Sequence, residues 1–118
     1  MSSKLGLNIL KNNDLIYSKK SIPFIKNNNS HTFIIDGINT QVDSNDKSLI
    51  LKRENDEFLF YLTISSEKNE CTYLLKEVNT NFEIKVDYAN YKFDKDKLTI
   101  NYQIETDEFL TTLEILFE

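Results

Sequence analysis

The side chains with the greatest chemical potential in this chain are few. Among 118 residues there is one histidine, His31, and one cysteine, Cys71. A Ser-His-Asp or Cys-His unit needs a base beside its nucleophile and a third group that orients the base. His31 opens an alternating stretch directly after Asn29-Ser30, at a polar loop edge, and reads as an exposed histidine. No motif surrounds either residue. Cys71 is in phase with Tyr73 and Leu75, which predicts a buried thiol, free cysteine being among the most buried residue types. Glu70 beside it opposes thiolate formation. A zinc site typically takes four Cys, His or acidic ligands, so no metal site is expected. The carboxylate groups Asp94 with Asp96, Glu54 with Asp56 and Glu57, and Asp43 with Asp46 all fall in polar connections. Of these, Asp94-Lys95-Asp96-Lys97 lacks the glycine and the later glutamate of a calcium loop. Glycine occurs only at positions 6 and 37, so neither a phosphate-cradling loop nor a dinucleotide fingerprint can be written. These residues predict no catalytic set, no cofactor and no enzyme.

Recognition chemistry is better represented. Arg53, the only arginine, shares strand phase with Leu49 and Leu51. On a lining face its guanidinium can clamp a carboxylate or a phosphate with two hydrogen bonds. The structural alternative is an ion pair with Glu54, Asp56 or Glu57 near a turn. An aromatic set, Phe58, Phe60, Tyr73, Phe82, Tyr88, Tyr91, Phe93, Tyr102 and Phe117, supplies much of the apolar area. Buried tyrosine hydroxyls need partners, and a ligand can be one of them. Tyr73, Tyr102 and Arg53, with Tyr88 as a weaker addition, are the candidate ligand-lining residues. Leu59, Tyr61 and Leu116 lie opposite the main apolar faces of their strands, as an exposed patch for self-association or a protein partner does.

The elements that position these residues follow from periodicity. The strand period of two dominates. It is clearest over Lys97–Glu105, where Leu98, Ile100, Tyr102 and Ile104 share one face, and over Leu110–Glu118, where Thr111, Leu113, Ile115 and Phe117 do. The short polar connection Thr106-Asp107-Glu108 makes these two a hairpin. Upstream, Phe82, Ile84, Val86 and Tyr88 alternate, and the phase then slips to Tyr91 and Phe93. That predicts a bulge in one long strand, or else a tight turn, near Ala89-Asn90. Further strands are read over Leu5–Ile9, Asp14–Lys20, Ile22–Lys26, His31–Asp36, Ile38–Asp43, Ser48–Glu54, Glu57–Ser65 and Cys71–Glu77. Their separators are rich in Asn and Asp, which tolerate left-handed backbone and bond their own turns. No segment holds the helical period for long. Short strands at this spacing predict a meander closed into a barrel or packed as a sandwich.

Composition bounds the rest. The length suits one domain, residues 1–118. With 40% hydrophobic, 12% aromatic and 28% charged residues, the chain has enough apolar surface to order itself. One cysteine allows no internal disulfide, so a core must hold the fold. A net charge of −5 with interspersed signs argues against nucleic acid as a partner. No stretch approaches the roughly 20 apolar residues that span a bilayer. Met1–Lys11 lacks an unbroken apolar run and a small-residue cleavage site, so no leader is expected and the cytoplasm is the expected location.

Three stretches carry a family likeness. They are Leu49-Ile50-Leu51-Lys52-Arg53-Glu54-Asn55, Val78-Asn79-Thr80-Asn81-Phe82-Glu83-Ile84, and Lys97-Leu98-Thr99-Ile100-Asn101-Tyr102-Gln103-Ile104 followed by Glu114-Ile115. Ile22–Asp36 fits in order before them. In these segments the chain resembles the YwiB-like family, a bacterial domain of unknown function placed with the calycin-type barrels. It departs from the family by lacking glycine after Arg53, before Phe82 and inside the final hairpin. The resemblance implies an antiparallel meander β-barrel of about eight strands, similar to lipocalins and streptavidin, and brings no catalytic motif. Such barrels hold one small ligand or are filled by side chains. The expected function is therefore non-catalytic binding of a small apolar or amphipathic ligand at the barrel mouth. The alternative is a packed barrel that serves self-association or protein–protein contact.

Overall fold

Alternation of apolar and polar residues at period two buries one face of a strand, and strands so patterned pair side by side to satisfy their backbone groups. The computed structural model describes residues 3–118. Met1 and Ser2, the first two residues of the N-terminal stretch read above, lie outside the described residues. The described residues form eleven strands and no helix: β1 (Lys4–Lys11), β2 (Asp14–Asn27), β3 (Ser30–Ile35), β4 (Ile38–Ser44), β5 (Ser48–Glu54), β6 (Phe58–Ser65), β7 (Glu70–Leu75), β8 (Thr80–Ile84), β9 (Val86–Asp94), β10 (Lys97–Ile104) and β11 (Thr111–Phe117). The all-β antiparallel class is as expected. The strand count is eleven where the family likeness implied about eight.

The chain divides into two compact units, one formed by the segment up to Phe24 with Val86–Glu118, the other by Ile25–Lys85. Strand β2 runs from the first into the second, and the chain returns at Lys85.

In the Ile25–Lys85 unit, β3 to β8 form a plain meander in which each strand pairs with the next. Its buried face carries Phe33, Ile35, Val42, Leu49, Leu51, Phe60, Leu62, Ile64 and Cys71. The turns explain how so little glycine suffices. Asp36 and Gly37 both take positive φ, 49° and 80°, in the two-residue loop between β3 and β4, the backbone a type I′ hairpin requires. The next two turns repeat one another ten residues apart. Asn45 Oδ1 accepts from the backbone N–H of Lys47 (2.8 Å) and Ser48 (2.9 Å); Asn55 Oδ1 accepts from Glu57 (2.8 Å) and Phe58 (3.0 Å). A side-chain amide thus does the work of a backbone turn.

In the other unit the strand order is β2-β1-β11-β10-β9. The final hairpin has the expected face: Leu98 lies opposite Ile115, Ile100 opposite Leu113 and Tyr102 opposite Thr111. Its connection is longer than expected. β10 ends at Ile104 and β11 begins at Thr111, with Asp107 shaping the loop between. Asp107 accepts from Phe109 N (3.0 Å) and from Lys11 Nζ (2.8 Å). The hydrogen bond from Lys11, then that from Phe109, hold the Asp107 carboxyl below its ordinary range. The β1–β2 turn uses Asn12 and Asn13, both at positive φ.

Two strand readings are corrected. Asp14–Lys20 and Ile22–Lys26 form the single strand β2. Its irregularity lies where Leu5 pairs with Ile22 but Leu7 with Lys19, beside Ser21 at φ 57°. The long strand expected from Phe82 onward is instead two, because the chain changes unit at Lys85. Its bulge comes earlier than expected, at Asp87: Tyr88 pairs with Gln103 while Val86 pairs with Ile104.

Candidate functional site

Register brings the candidate residues of the Ile25–Lys85 unit into one row. Phe33 lies opposite Thr40, Thr40 opposite Arg53, Arg53 opposite Phe60, Phe60 opposite Tyr73, and Tyr73 opposite Phe82. Directly opposed residues of antiparallel strands point to the same side, so the row shares the face that buries Leu51 and Leu62. Burial fades along it. Phe33 and Thr40 are each 3% exposed and Phe60 8%, Arg53 and Tyr73 are half-buried, and Phe82 is 46% exposed. Tyr73 also lies flat against Phe58, with ring centroids 5.5 Å apart and planes 8° from parallel. Arg53 and Tyr73, both singled out in the sequence, are therefore separated only by Phe60.

Arg53 is not held as the structural alternative required. Glu54 alternates to the opposite face, where it accepts from Lys76 Nζ at 2.7 Å and lies 3.9 Å from Lys52 Nζ. Hydrogen bonding from Lys76 keeps the Glu54 carboxyl below its usual range. Among the described residues the one polar contact of Arg53 is a long hydrogen bond from its Nε to Thr40 Oγ1, 3.4 Å. Among the described residues no carboxylate pairs with it. A half-buried guanidinium without an anion leaves donors to be satisfied by water or by a ligand.

The other two candidate lining residues belong to the other unit and do not share a face. Tyr102 is 9% exposed, opposite Ala89 and Thr111 on the buried side, and is a core residue. Tyr88 is 48% exposed and, through the bulge at Asp87, projects to the opposite side, where its hydroxyl accepts from Asn90 Nδ2. Of the candidate patch, Leu59 and Tyr61 share the outer side of β6, next to Leu74 and Thr72. Leu116, 38% exposed, lies in the other unit opposite Gly6 and Lys97.

His31 and Cys71 stand in a second row of the same face, with Val42, Leu51 and Leu62 between them. Four strand spacings separate them by roughly 19 Å along the sheet, too far for a dyad. His31 is half-buried rather than exposed. Desolvation, then the charge of Lys26, lowers its pKa. Burial pushes the Cys71 thiol up to about 11, which disfavours a nucleophile. Among the described residues no group of three or more His, Cys, Asp or Glu side chains is placed to hold a metal ion, and no helix is long and apolar enough to cross a membrane.

Sequence reasoning missed Thr40 as the neighbour of Arg53, and the order in which Phe60, Tyr73 and Phe82 follow one another. Strand phase assigns each to a face, but the row depends on how many residues each turn consumes. Compared with protein-family models, curated proteins and solved structures, this chain matches none.

Proposed function

We propose that this chain is a non-catalytic, cytoplasmic β-barrel binding module of the calycin kind, which holds a small apolar or amphipathic ligand against the Phe58–Phe60–Tyr73 surface. The observation that carries this reading is the half-buried Tyr73, stacked on Phe58 beside the buried Phe60, where the row passes from buried to exposed residues. Aromatic faces joined by a few polar groups are the common composition of small-ligand sites. The unbroken meander from β3 to β8 also suits the calycin likeness.

The test is the affinity of a neutral apolar probe, naphthylmethanol, for the Tyr73→Ala protein. Removing the ring is expected to weaken the probe about tenfold, since a buried aromatic contact contributes roughly 1–2 kcal/mol. Tyr61→Ala, on the other side of the sheet, is the control and leaves affinity unchanged. Equal affinity in the wild-type and Tyr73→Ala proteins contradicts the reading.

The alternative, a self-associating or protein-binding module, is favoured by one observation. Tyr61, 37% exposed, lies on the same outer face as Leu59 and Leu74. A mass that rises with concentration in light scattering, and is restored to the monomer by Tyr61→Ala, is its signature.

A further inference from the structure

The binding reading leaves open what the polar end of the ligand is. Resting on that reading, we propose that the ligand is a planar apolar carboxylate, its ring on Tyr73 and its anionic head on Arg53.

Three observations converge on this class. The first is the charge of Arg53: among the described residues its only polar contact is the 3.4 Å hydrogen bond to Thr40 Oγ1, and the adjacent carboxylate, Glu54, is turned away and engaged by Lys76. A guanidinium presents a fork of donors that matches a carboxylate with two parallel hydrogen bonds. Its Nε is spent on Thr40, and the terminal nitrogens remain for the ligand. The second is charge count. The register neighbours of Arg53 on its face are Thr40 and Phe60, and the next rows along bring Ile38, Val42, Leu51, Phe58 and Leu62. One cation among uncharged neighbours balances a monoanion; a phosphate monoester, with nearly two charges, would be left half-compensated in a partly dry site. The third is shape. The Phe58 and Tyr73 rings are parallel within 8° and both half-buried, so together they present a flat aromatic surface against which a ring packs. Only Phe60 separates that surface from Arg53 across the sheet. Two strand spacings, about 10 Å, separate the backbones of Arg53 and Tyr73.

The experiment compares three probes of one skeleton, naphthoate, naphthylmethanol and naphthyl phosphate, by calorimetric titration of the full chain. Naphthoate is expected to bind about tenfold more tightly than naphthylmethanol, the gain of a charge-assisted pair, and more tightly than naphthyl phosphate. Arg53→Met should abolish the preference for the carboxylate while leaving naphthylmethanol as in the wild type. Arg53→Lys, which keeps the charge without the fork, should retain part of it, and it decides the matter if the methionine variant does not fold. Equal affinity for naphthoate and naphthylmethanol in the wild type overturns the carboxylate head but leaves the aromatic surface standing. A preference for the phosphate overturns the monoanion. Failure of all three probes to bind overturns the aromatic surface itself.

Discussion

Leu62→Ala is expected to destabilise the protein by about 3 kcal/mol, within the range of roughly 2–5 kcal/mol seen for buried leucines cut back to alanine. Leu62 is fully buried and lies between Leu51 and Cys71 in the central row of the Ile25–Lys85 unit. Phe60 and Ile64 are its neighbours on the same face of the same strand. The substitution removes three carbons, and strands on either side hold the backbone in place, so the gap cannot close fully. For a chain of this length the loss corresponds to a fall in Tm of about 10 °C. Leu59→Ala, three residues earlier on the same strand but on the opposite, half-buried face, should cost about 1 kcal/mol or less. Urea unfolding of the two variants checks the pair. Equal losses would show that the two faces of β6 are not distinguished as the register requires.

The second large effect concerns Cys71. Burial raises its pKa from 9.0 to about 11, which lowers the thiolate population at pH 8 about a hundredfold relative to an exposed thiol. The side chain is 3% exposed, so reagent must also wait for local opening. Thiol labelling at pH 8 should therefore be about a thousandfold slower, or more, in the folded chain than in the urea-unfolded one. A pH dependence follows. The folded state holds the thiol proton more tightly than the unfolded state does. This contribution to stability is complete below 9 and is lost as pH rises towards 11. Cys71→Val should remove that alkaline slope. Labelling of the folded chain at the unfolded rate would place Cys71 on the surface.

Much of this fold is legible in the residue pattern, and the failures have identifiable causes. The β10–β11 hairpin can be read because Leu98, Ile100 and Tyr102 alternate without interruption and meet Thr111, Leu113 and Ile115 from a strand patterned likewise. The role of Asn and Asp as turn formers is legible too, since Asn45 and Asn55 each bond the backbone two and three residues on. The break at Lys85 is not. Phe82, Ile84 and Val86 alternate straight through it, and periodicity carries no signal when a strand leaves one set of partners for another. The misplacement of Tyr88 has a separate, local origin. Its phase agrees with Val86 in the sequence, but the extra residue at Asp87 turns it to the other side. For the site, shared phase places Arg53 and Tyr73 on faces of their own strands. That they lie in one row, with Phe60 between, follows only from the lengths of the Asn55–Glu57 and Ser66–Asn69 connections. The freedom of Arg53 was harder still to see. Glu54, Asp56 and Glu57 surround it in sequence, yet strand alternation sends Glu54 to Lys76.

The central claim is that a ligand meets the face of the Ile25–Lys85 unit that bears Arg53, Phe60 and Tyr73. The most direct measurement is a set of amide chemical-shift perturbations recorded while naphthoate is titrated into the isotopically labelled chain. The account predicts shifts concentrated at Thr40, Arg53, Phe58, Phe60, Tyr73 and Phe82, with Leu59, Tyr61, Tyr88 and Leu116 unmoved. Shifts centred on Leu59, Tyr61 and Leu74, or on Tyr88 and Tyr102, would contradict it.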